Sequence, residues 1–194
     1  MRPVMQIGDV FAERFKVVRV VTLEGGQGAV YAVEDRNTGK VRALKTLPPH
    51  MVGTEEARRR FEQEVIAASR VKSSHVVEVF DRGVDARGVP WLLMELLEGM
   101  TLHDRVTGQG PFLRGEALTV FRQLGHALER AHEAGVLHLD LKPANVFLAR
   151  SGGADDGVQV KVLDFGIARL VEAQRTAVQA SRGAGTPEWM APEQ

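Results

Sequence analysis

The stretch HLDLKPAN, residues 138–145, decides how this chain of 194 residues is interpreted. Nineteen residues after its asparagine comes a second cluster, Asp164-Phe165-Gly166, at the end of an apolar run that predicts a strand. Average residue usage gives odds of about one in fifty for a chance Asp-Phe-Gly in such a chain, and the longer stretch is far rarer. A long helical pattern precedes the first stretch. We therefore expect Asp140, Asn145 and Asp164 to converge on one metal and phosphate site.

A glycine-rich segment, LEGGQGAVY at residues 23–31, joins the first two predicted strands. Phosphoryl transfer needs backbone amides close to phosphate, and glycine allows that approach because it has no Cβ. Gly25, Gly28 and Val30 match the phosphate-covering pattern Gly-x-Gly-x-x-Gly-x-Val, whereas Leu23 stands where the first glycine belongs. Taken alone, the segment leaves an ordinary hairpin turn open as an alternative.

A lysine lies in an otherwise apolar strand pattern, VRALK at residues 41–45. Lys45 falls on the inward phase of that strand, where its ammonium group needs an anionic partner. The next predicted helix carries Glu64 on its inward face. Glu64 can therefore pair with Lys45 and leave the lysine directed at the phosphates of a nucleotide. The alternative is a surface ion pair, which is what most lysines and glutamates form.

The two halves of the chain have different patterns, which predict an α+β fold with two lobes. The first half predicts a five-stranded antiparallel sheet with one helix, with strands at 16–23, 29–34, 41–47, 76–82 and 89–93 and the helix at 54–71. In the second half the spacing becomes helical at 115–134, followed by a strand at 158–163. The expected buried stripe of that helix consists of Leu118, Phe121, Leu124, Leu128 and Ala131.

Composition argues against several classes of function. Twenty-five basic and twenty-five acidic side chains cancel, so no overall field draws the chain to nucleic acid or to an anionic membrane surface. The absence of cysteine excludes disulfides and thiolate chemistry and suits a reducing cytoplasm. We find neither a signal-peptide pattern nor an apolar run of about 20 residues. We expect a cytoplasmic location, no nucleic-acid partner and no membrane segment in this chain.

Together, these motifs resemble a serine/threonine protein kinase of the bacterial, eukaryotic-like type. AHEAGVLHLDLKPANVFL at 131–148 and GTPEWMAPEQ at 185–194 are similar to stretches of bacterial members. The resemblance implies the protein-kinase-like two-lobe fold, with an N-terminal extension at 1–14, an ATP-binding N-lobe at 15–97 and a partial C-lobe at 98–194. It also implies transfer of the γ-phosphoryl group of ATP to serine or threonine hydroxyls of proteins, with Mg²⁺, or alternatively Mn²⁺, as the metal.

The resemblance also implies roles for individual residues. Lys45 would contact the α- and β-phosphates, with Glu64 as its anchor. Asp140 would orient the substrate hydroxyl and accept its proton, and Lys142 would neutralise charge on the transferred phosphoryl group. Asn145 and Asp164 would hold the metal. The other nucleotide contacts would come from three places. The glycine-rich segment would contribute Leu23, Gly25, Gly28 and Val30, and the adenine pocket would contribute Ala43 and Met94. Glu95 and Leu97 are the two ends of the hinge, the segment at 95–97 that hydrogen-bonds the base.

Two residues depart from the family pattern. Leu23 replaces a glycine, and its bulk is expected to stiffen the loop and weaken ATP binding. Leu139 stands where the family usually has an arginine that receives a phosphorylated activation-loop residue. Phosphorylation of Thr176 or Ser181 should therefore change activity less than it does in arginine-bearing relatives. Thr186 is expected to position groups near the catalytic aspartate.

The sequence ends at Gln194, directly after Ala191-Pro192-Glu193, where the family continues with several more helices. On this resemblance the helical lobe is incomplete, and we expect an uncovered apolar face under Leu137, Leu141 and Phe147. Two hypotheses therefore remain. One is an active kinase for protein substrates, which could also phosphorylate itself. The other is a catalytically weak or inactive module for nucleotide binding or protein interaction.

Overall fold

The computed structural model describes residues 5–24, 28–150, 157–165 and 189 of the chain. The chain divides into two compact units. The first contains residues 1–62 and 78–96, and the second contains residues 63–77 and 97–194. None of the helices in the described ranges is both long enough and apolar enough to cross a bilayer.

The first unit is built on a six-stranded antiparallel sheet with the strand order β1-β2-β3-β4-β6-β5. The five predicted strands are present, and a two-residue strand at the predicted N-terminal extension adds a sixth. The strands are β1 Val10–Phe11, β2 Phe15–Glu24, β3 Gly28–Asp35, β4 Lys40–Thr46, β5 Val79–Val84 and β6 Pro90–Met94.

Between β4 and β5 the chain forms a 3-10 turn at Pro49–Val52 and helix α1 at Glu55–Ser69. Thr54 caps α1, since its Oγ1 accepts a hydrogen bond from the Ala57 N–H at 3.1 Å. Phe61 and Val65 on this helix are buried, as their spacing predicts.

Large apolar side chains fill the core of the first sheet. Phe15, Val17 and Leu44 are inaccessible to solvent, and the Phe15 and Trp91 rings meet edge to face with centroids 4.9 Å apart. Each such side chain contributes about 1.5–3 kcal/mol by its removal from water. Burial of this face fixes the phase of each strand, because a slip of one residue would turn the core side chains outward.

An ion-pair network links the β1–β2 turn to the end of β3 and to β5 in the first unit. Arg14, in the β1–β2 turn, donates from Nε and Nη2 to the two carboxylate oxygens of Asp35, each at 2.8 Å, and from Nη1 to Asp81 on β5. Asp35 is 2% exposed. The Arg14 hydrogen bonds lower the pKa of Asp35 to about 2, against the opposing effect of burial. No local sequence pattern indicates this network, because its members are distant in the chain.

In its described residues, the second unit combines a small sheet, two helices and the last residues of α1. Its antiparallel strands lie in the order β7-β8-β9, with β7 at Gly99–Thr101, β8 at Val146–Arg150 and β9 at Val158–Val162. Helix α2 spans Leu102–Gln109, and helix α3 spans Arg114–Glu133. A 3-10 turn at Pro143–Asn145 leads directly into β8. Gly135, expected to end the long helix, follows α3 with a φ of 71°.

The predicted buried stripe of α3 is wrong for two residues. Leu118 and Phe121 are 56% and 67% exposed. The helix face that packs against β8 and β9 keeps Leu124, Leu128 and Ala131 of the predicted stripe, and Val120 and Ala127 complete it in place of the two exposed residues. The error arose because α3 carries apolar residues on two adjacent faces, and helical periodicity alone does not say which face meets the sheet.

The expected uncovered face beneath the loop is present only in part. Leu137 is 58% exposed, in agreement with that expectation. Leu141, however, packs partly buried against two apolar clusters of the second unit. Phe147 is also partly buried, at a position paired with Lys161 across the β8–β9 ladder.

The start of the predicted strand at 76–82 is also wrong, because its first residues pair with β9. Val76 forms a parallel bridge with Val162, and the Val77 N–H donates to the Val162 carbonyl at 3.0 Å. Strand β5 therefore begins at Val79. At the start and middle of β9, the side-chain amide of Gln123 on α3 bonds to the Val158 carbonyl and the Val160 N–H.

Candidate active site

Polar side chains of the 138–145 loop gather around Asp140 in the second unit. The Lys142 ammonium lies 2.8 Å from Asp140 Oδ2. Asn145 Nδ2 donates to the Asp140 carbonyl at 2.8 Å and lies 3.3 Å from its carboxylate. Lys142 and Asp140 are largely shielded from solvent, with side chains 14% and 19% exposed. The structure thus brings together three of the predicted site residues.

The backbone holds this loop in a fixed shape. The Asn145 N–H donates to the Lys142 carbonyl, and the Leu163 N–H donates to the Asn145 carbonyl, both at 2.9 Å. Leu139 has a φ of 65°, in the left-handed region that a branched side chain seldom occupies. Such a conformation costs on the order of 1–3 kcal/mol and persists only where its surroundings impose it.

His138 connects the loop with the segment that follows β9. It is 5% exposed, and its Nε2 donates to the Leu163 carbonyl at 2.8 Å. Its Nδ1 accepts from the Asp140 N–H at 3.3 Å, and its ring lies edge to face on Phe165 at 4.8 Å. Burial lowers the pKa of His138, although Leu163 and the charges of Asp164 and Asp140 oppose the effect. The imidazole is therefore neutral, with its proton on Nε2.

His138 begins the 138–145 loop but was not among the predicted site residues. The available signal was its apolar setting between Leu137 and Leu139, which favours a buried imidazole over a solvated one. Its geometry makes it an orienting residue for the loop, because one ring holds both the Asp140 backbone and the residue before Asp164.

Asp164 follows the end of β9 with a φ of 59°. It is partly buried, beside the buried Phe165. The side chains of Asp164 and Asn145 suit a hard cation. Because Asn145 uses Nδ2 as a donor, its Oδ1 is the atom that can accept from or coordinate a ligand. The described ranges contain no cluster of three or more histidine, aspartate or glutamate side chains that could hold a metal. A bound Mg²⁺ would therefore also take oxygen ligands from phosphate and water.

In the first unit, four predicted nucleotide contacts share one face of the sheet. Lys45 on β4 pairs in register with Val30 on β3, and Ala43 pairs with Met94 on β6. Residues two apart on a strand, such as 43 and 45, point to the same side. Lys45 is 6% exposed, which agrees with its predicted inward phase. The side chain of Glu64, its predicted partner, lies outside the described residues.

Glu95, at the start of the predicted hinge, is tied to the strand beside it. Its N–H donates to the Glu78 carbonyl at 2.9 Å, and its Oε1 accepts from the Glu78 N–H at 2.8 Å. A base-binding hinge would therefore use other backbone groups of residues 95–97. Leu97, at the other end of that segment, is partly buried.

The packing of the sheet requires a glycine at position 28, independently of the phosphate contact predicted for Gly28. Its φ is 117°, and a Cβ at this position would lie 1.9 Å from the Thr46 carbonyl oxygen. No larger residue fits without displacement of β4. Gly25 and the side chain of Leu23, the other predicted loop contacts, lie outside the described residues.

The sequence of residues 21–194 matches the protein kinase domain family model. This chain belongs to the protein kinase family. The probable serine/threonine-protein kinase PknB of Corynebacterium glutamicum is 36% identical over 189 residues, which cover 95% of this chain and 28% of that protein. The serine/threonine-protein kinase Pkn1 of Myxococcus xanthus is 40% identical over 181 residues, which cover 93% of this chain and 25% of that protein.

Solved kinase domains have the same fold. The crystal structure of the PknI kinase domain of M. tuberculosis is similar with a TM-score of 0.72 and 34% identity, covering 85% of this chain and 62% of that one. The predicted resemblance to bacterial serine/threonine kinases and the predicted kinase-like fold are thereby confirmed. The chain spans about a quarter of the length of these curated relatives.

Several kinase positions fall outside the described residues. They include the glycine of Asp-Phe-Gly and the activation-segment positions singled out from the sequence: Gly166, Thr176, Ser181, Thr186 and Glu193. Leu139, at the usual arginine position of the kinase loop, is 37% exposed and presents an apolar surface there.

Proposed function

We propose that this chain carries a kinase domain that transfers the γ-phosphoryl group of ATP to serine or threonine hydroxyls of proteins. The observation that carries the proposal is the hydrogen-bonded cluster of Asp140, Lys142 and Asn145, in a loop whose His138 donates to the carbonyl of Leu163, the residue before Asp164. Its protein substrates could include the chain itself. We place the reaction in the cytoplasm, with an ATP-binding lobe at 15–97 and a catalytic lobe at 98–194.

In this proposal, Asp140 is the group that meets the substrate hydroxyl. Its carboxylate is held by Asn145 and stands 2.8 Å from Lys142. It would orient the hydroxyl and accept its proton as the new oxygen–phosphorus bond forms and the bond from the γ-phosphorus to the β–γ bridging oxygen breaks, which releases ADP. Lys142 would exchange part of its contact with Asp140 for an oxygen of the transferred phosphoryl group, where its charge offsets the negative charge that develops.

The chemistry of Asn145 and Asp164 suits Mg²⁺, with Mn²⁺ as the alternative. Asn145 Oδ1 and the Asp164 carboxylate are hard oxygen donors, and both side chains are partly withdrawn from water. When bound, the metal ion would neutralise charge on the phosphate oxygens. His138 would help to position the two aspartates, because its Nε2 donates to the carbonyl of Leu163, the residue before Asp164, and its Nδ1 accepts from the Asp140 N–H.

In the first unit, Lys45 would contact the α- and β-phosphates, with Glu64 as its anchor. Val30, Ala43 and Met94 support adenine binding, since they share the sheet face of Lys45. Leu97 and the remaining hinge backbone would complete the adenine contacts. The backbone at Gly25 and Gly28 would cover the phosphates, and the bulk of Leu23 would weaken that grip.

A second candidate function is a nucleotide-binding or protein-interaction module with little transfer activity. The exposed apolar side chains of Leu118 and Phe121 favour it, since they are neighbours three residues apart on α3 and an exposed apolar patch commonly receives a protein partner. This candidate keeps the nucleotide contacts and gives up only the chemical step.

Incubation with ATP labelled at the γ-phosphate and a generic basic protein tests the first proposal. We expect label on serine and threonine, including residues of the chain itself, and no label with Asp140→Asn. If both proteins are silent but ATP with Mg²⁺ still raises the melting temperature, the transfer proposal fails and the binding module stands. Lys45→Met should abolish that temperature shift in either case, because it removes the phosphate contact.

A further inference from the structure

Two histidines outside the proposed active site lie in ring contact in the second unit. His75 lies just before the residues that bridge to β9, and His126 lies on α3. Their ring centroids are 5.5 Å apart, and their planes are inclined at 85°. Phosphoryl transfer as proposed above uses neither of them. Imidazole is a preferred ligand of the borderline divalent transition metals.

His75 is fixed in the form that can bind a metal. Its Nδ1 lies 3.1 Å from the Val160 carbonyl oxygen, which can only accept a hydrogen bond. Nδ1 therefore carries the proton and Nε2 carries the lone pair, as in metal-binding histidines supported by a carbonyl. The His75 backbone is also held, because its N–H donates to Ser73 Oγ and its carbonyl accepts from the Val162 N–H.

His126 stands on a helix that is anchored to the same strand. Gln123, one turn earlier on α3, bonds to Val158 and Val160 of β9, so both histidines are positioned by that strand. The His126 ring is exposed and, within the part of the chain that the structure describes, its contact is the His75 ring. The terminal torsion of histidine is broad, so this ring can turn without moving α3.

The distance between the rings fits a shared metal ion. A zinc–nitrogen bond of about 2.0–2.1 Å places each ring centre about 3.2 Å from the metal, so two imidazoles at a tetrahedral angle have centroids about 5.2 Å apart. The observed 5.5 Å is close to this value. A hard cation such as Mg²⁺ would not compete, since it prefers oxygen ligands.

We propose that His75 and His126 form a two-histidine site for Zn²⁺, Ni²⁺ or Cu²⁺, completed by water, which cross-links the segment at 73–77 to α3. Binding would strengthen the contact from His75 to Val160, because metal coordination makes the Nδ1 proton a better donor. The site is independent of ATP and of the transfer reaction.

Melting curves and calorimetric titration with ZnCl₂ and NiCl₂ test this proposal on the whole chain. We expect one metal equivalent to bind and raise the melting temperature, with reversal by EDTA and no effect of MgCl₂. His126→Gln should weaken binding at least tenfold and remove the rise. This variant should fold, because His126 is exposed. His132→Gln, on the same helix and also exposed, is the matched control and should behave as wild type.

Three results would overturn the proposal. One is the absence of any rise in the wild-type protein, and another is an unchanged rise in His126→Gln. The third is a rise that survives His126→Gln but is lost in Asp164→Asn, since that would place the metal at the proposed kinase site. His75→Gln supplies a second check and should lose the metal response as His126→Gln does.

Discussion

Replacement of Asp35 by asparagine probes the ion-pair network of the first unit while keeping the shape of the side chain. Asp35 accepts two charge-assisted bonds from Arg14 at 2.8 Å, and asparagine would present an amide N–H₂ to the guanidinium in place of one acceptor. Loss of one partner of a buried pair costs about 3–5 kcal/mol. Because Arg14 is 26% exposed and retains Asp81, we expect a loss below that range, about 2–3 kcal/mol.

The pKa of Asp35 gives a second estimate. The carboxyl group has a pKa of about 2 in the folded protein against 3.8 as its ordinary value. The difference corresponds to about 2 kcal/mol of stability at neutral pH. Since the folded pKa is the lower one, this stability is fully present above pH 3.8 and is lost as the pH falls towards 2. The difference between wild type and Asp35→Asn should therefore shrink over that range.

Urea unfolding followed by tryptophan emission measures this effect. Trp91 is buried against Phe15 in the same sheet, and a Trp189→Phe background removes the other tryptophan of the chain. Asp81→Asn is the matched control and should cost less than about 1 kcal/mol, because Asp81 is 40% exposed. A loss below about 0.5 kcal/mol for Asp35→Asn, or a loss that does not depend on pH, would refute the reasoning.

Three further predictions concern the proposed site and its supports. Gly28→Ala should destabilise the first unit even without nucleotide, because its Cβ would meet the Thr46 carbonyl at 1.9 Å; an unchanged urea midpoint would contradict this. His138 should make the second unit acid-sensitive. Its lowered pKa means that stability falls as the pH drops below 6.5, and His138→Phe should lose less stability between pH 7.5 and 5.5. Phosphatase treatment should leave the transfer rate of the wild type nearly unchanged, whereas Leu139→Arg should make the rate sensitive to it.

The elements that sequence could predict are those with strong local signals. The strand pattern around Lys45 correctly predicted β4 and the buried position of the lysine side chain. Thr54 correctly predicted the start of α1. The 138–145 loop was interpretable because its polar residues have few structural explanations at that spacing. Its hydrogen bonds around Asp140 are consistent with that interpretation.

What sequence could not predict depends on contacts between distant segments. Leu118 and Phe121 fit a helical stripe as well as Val120 does, and only the position of β8 and β9 decides which face is buried. Arg14 and Asp81 are 67 residues apart, so no local pattern links them. His138 likewise acquires its role from Leu163, which lies 25 residues later.

The initial rate of γ-phosphoryl transfer by the wild-type chain, compared with that of Asp140→Asn, tests the central claim most directly. General acid–base catalysis is worth about 10²–10⁴-fold, so we expect the variant to be slower by at least about 10²-fold while its melting temperature stays near that of wild type. Equal rates for the two proteins, or no transfer by either, would contradict the assignment of Asp140 as the catalytic base of an active kinase.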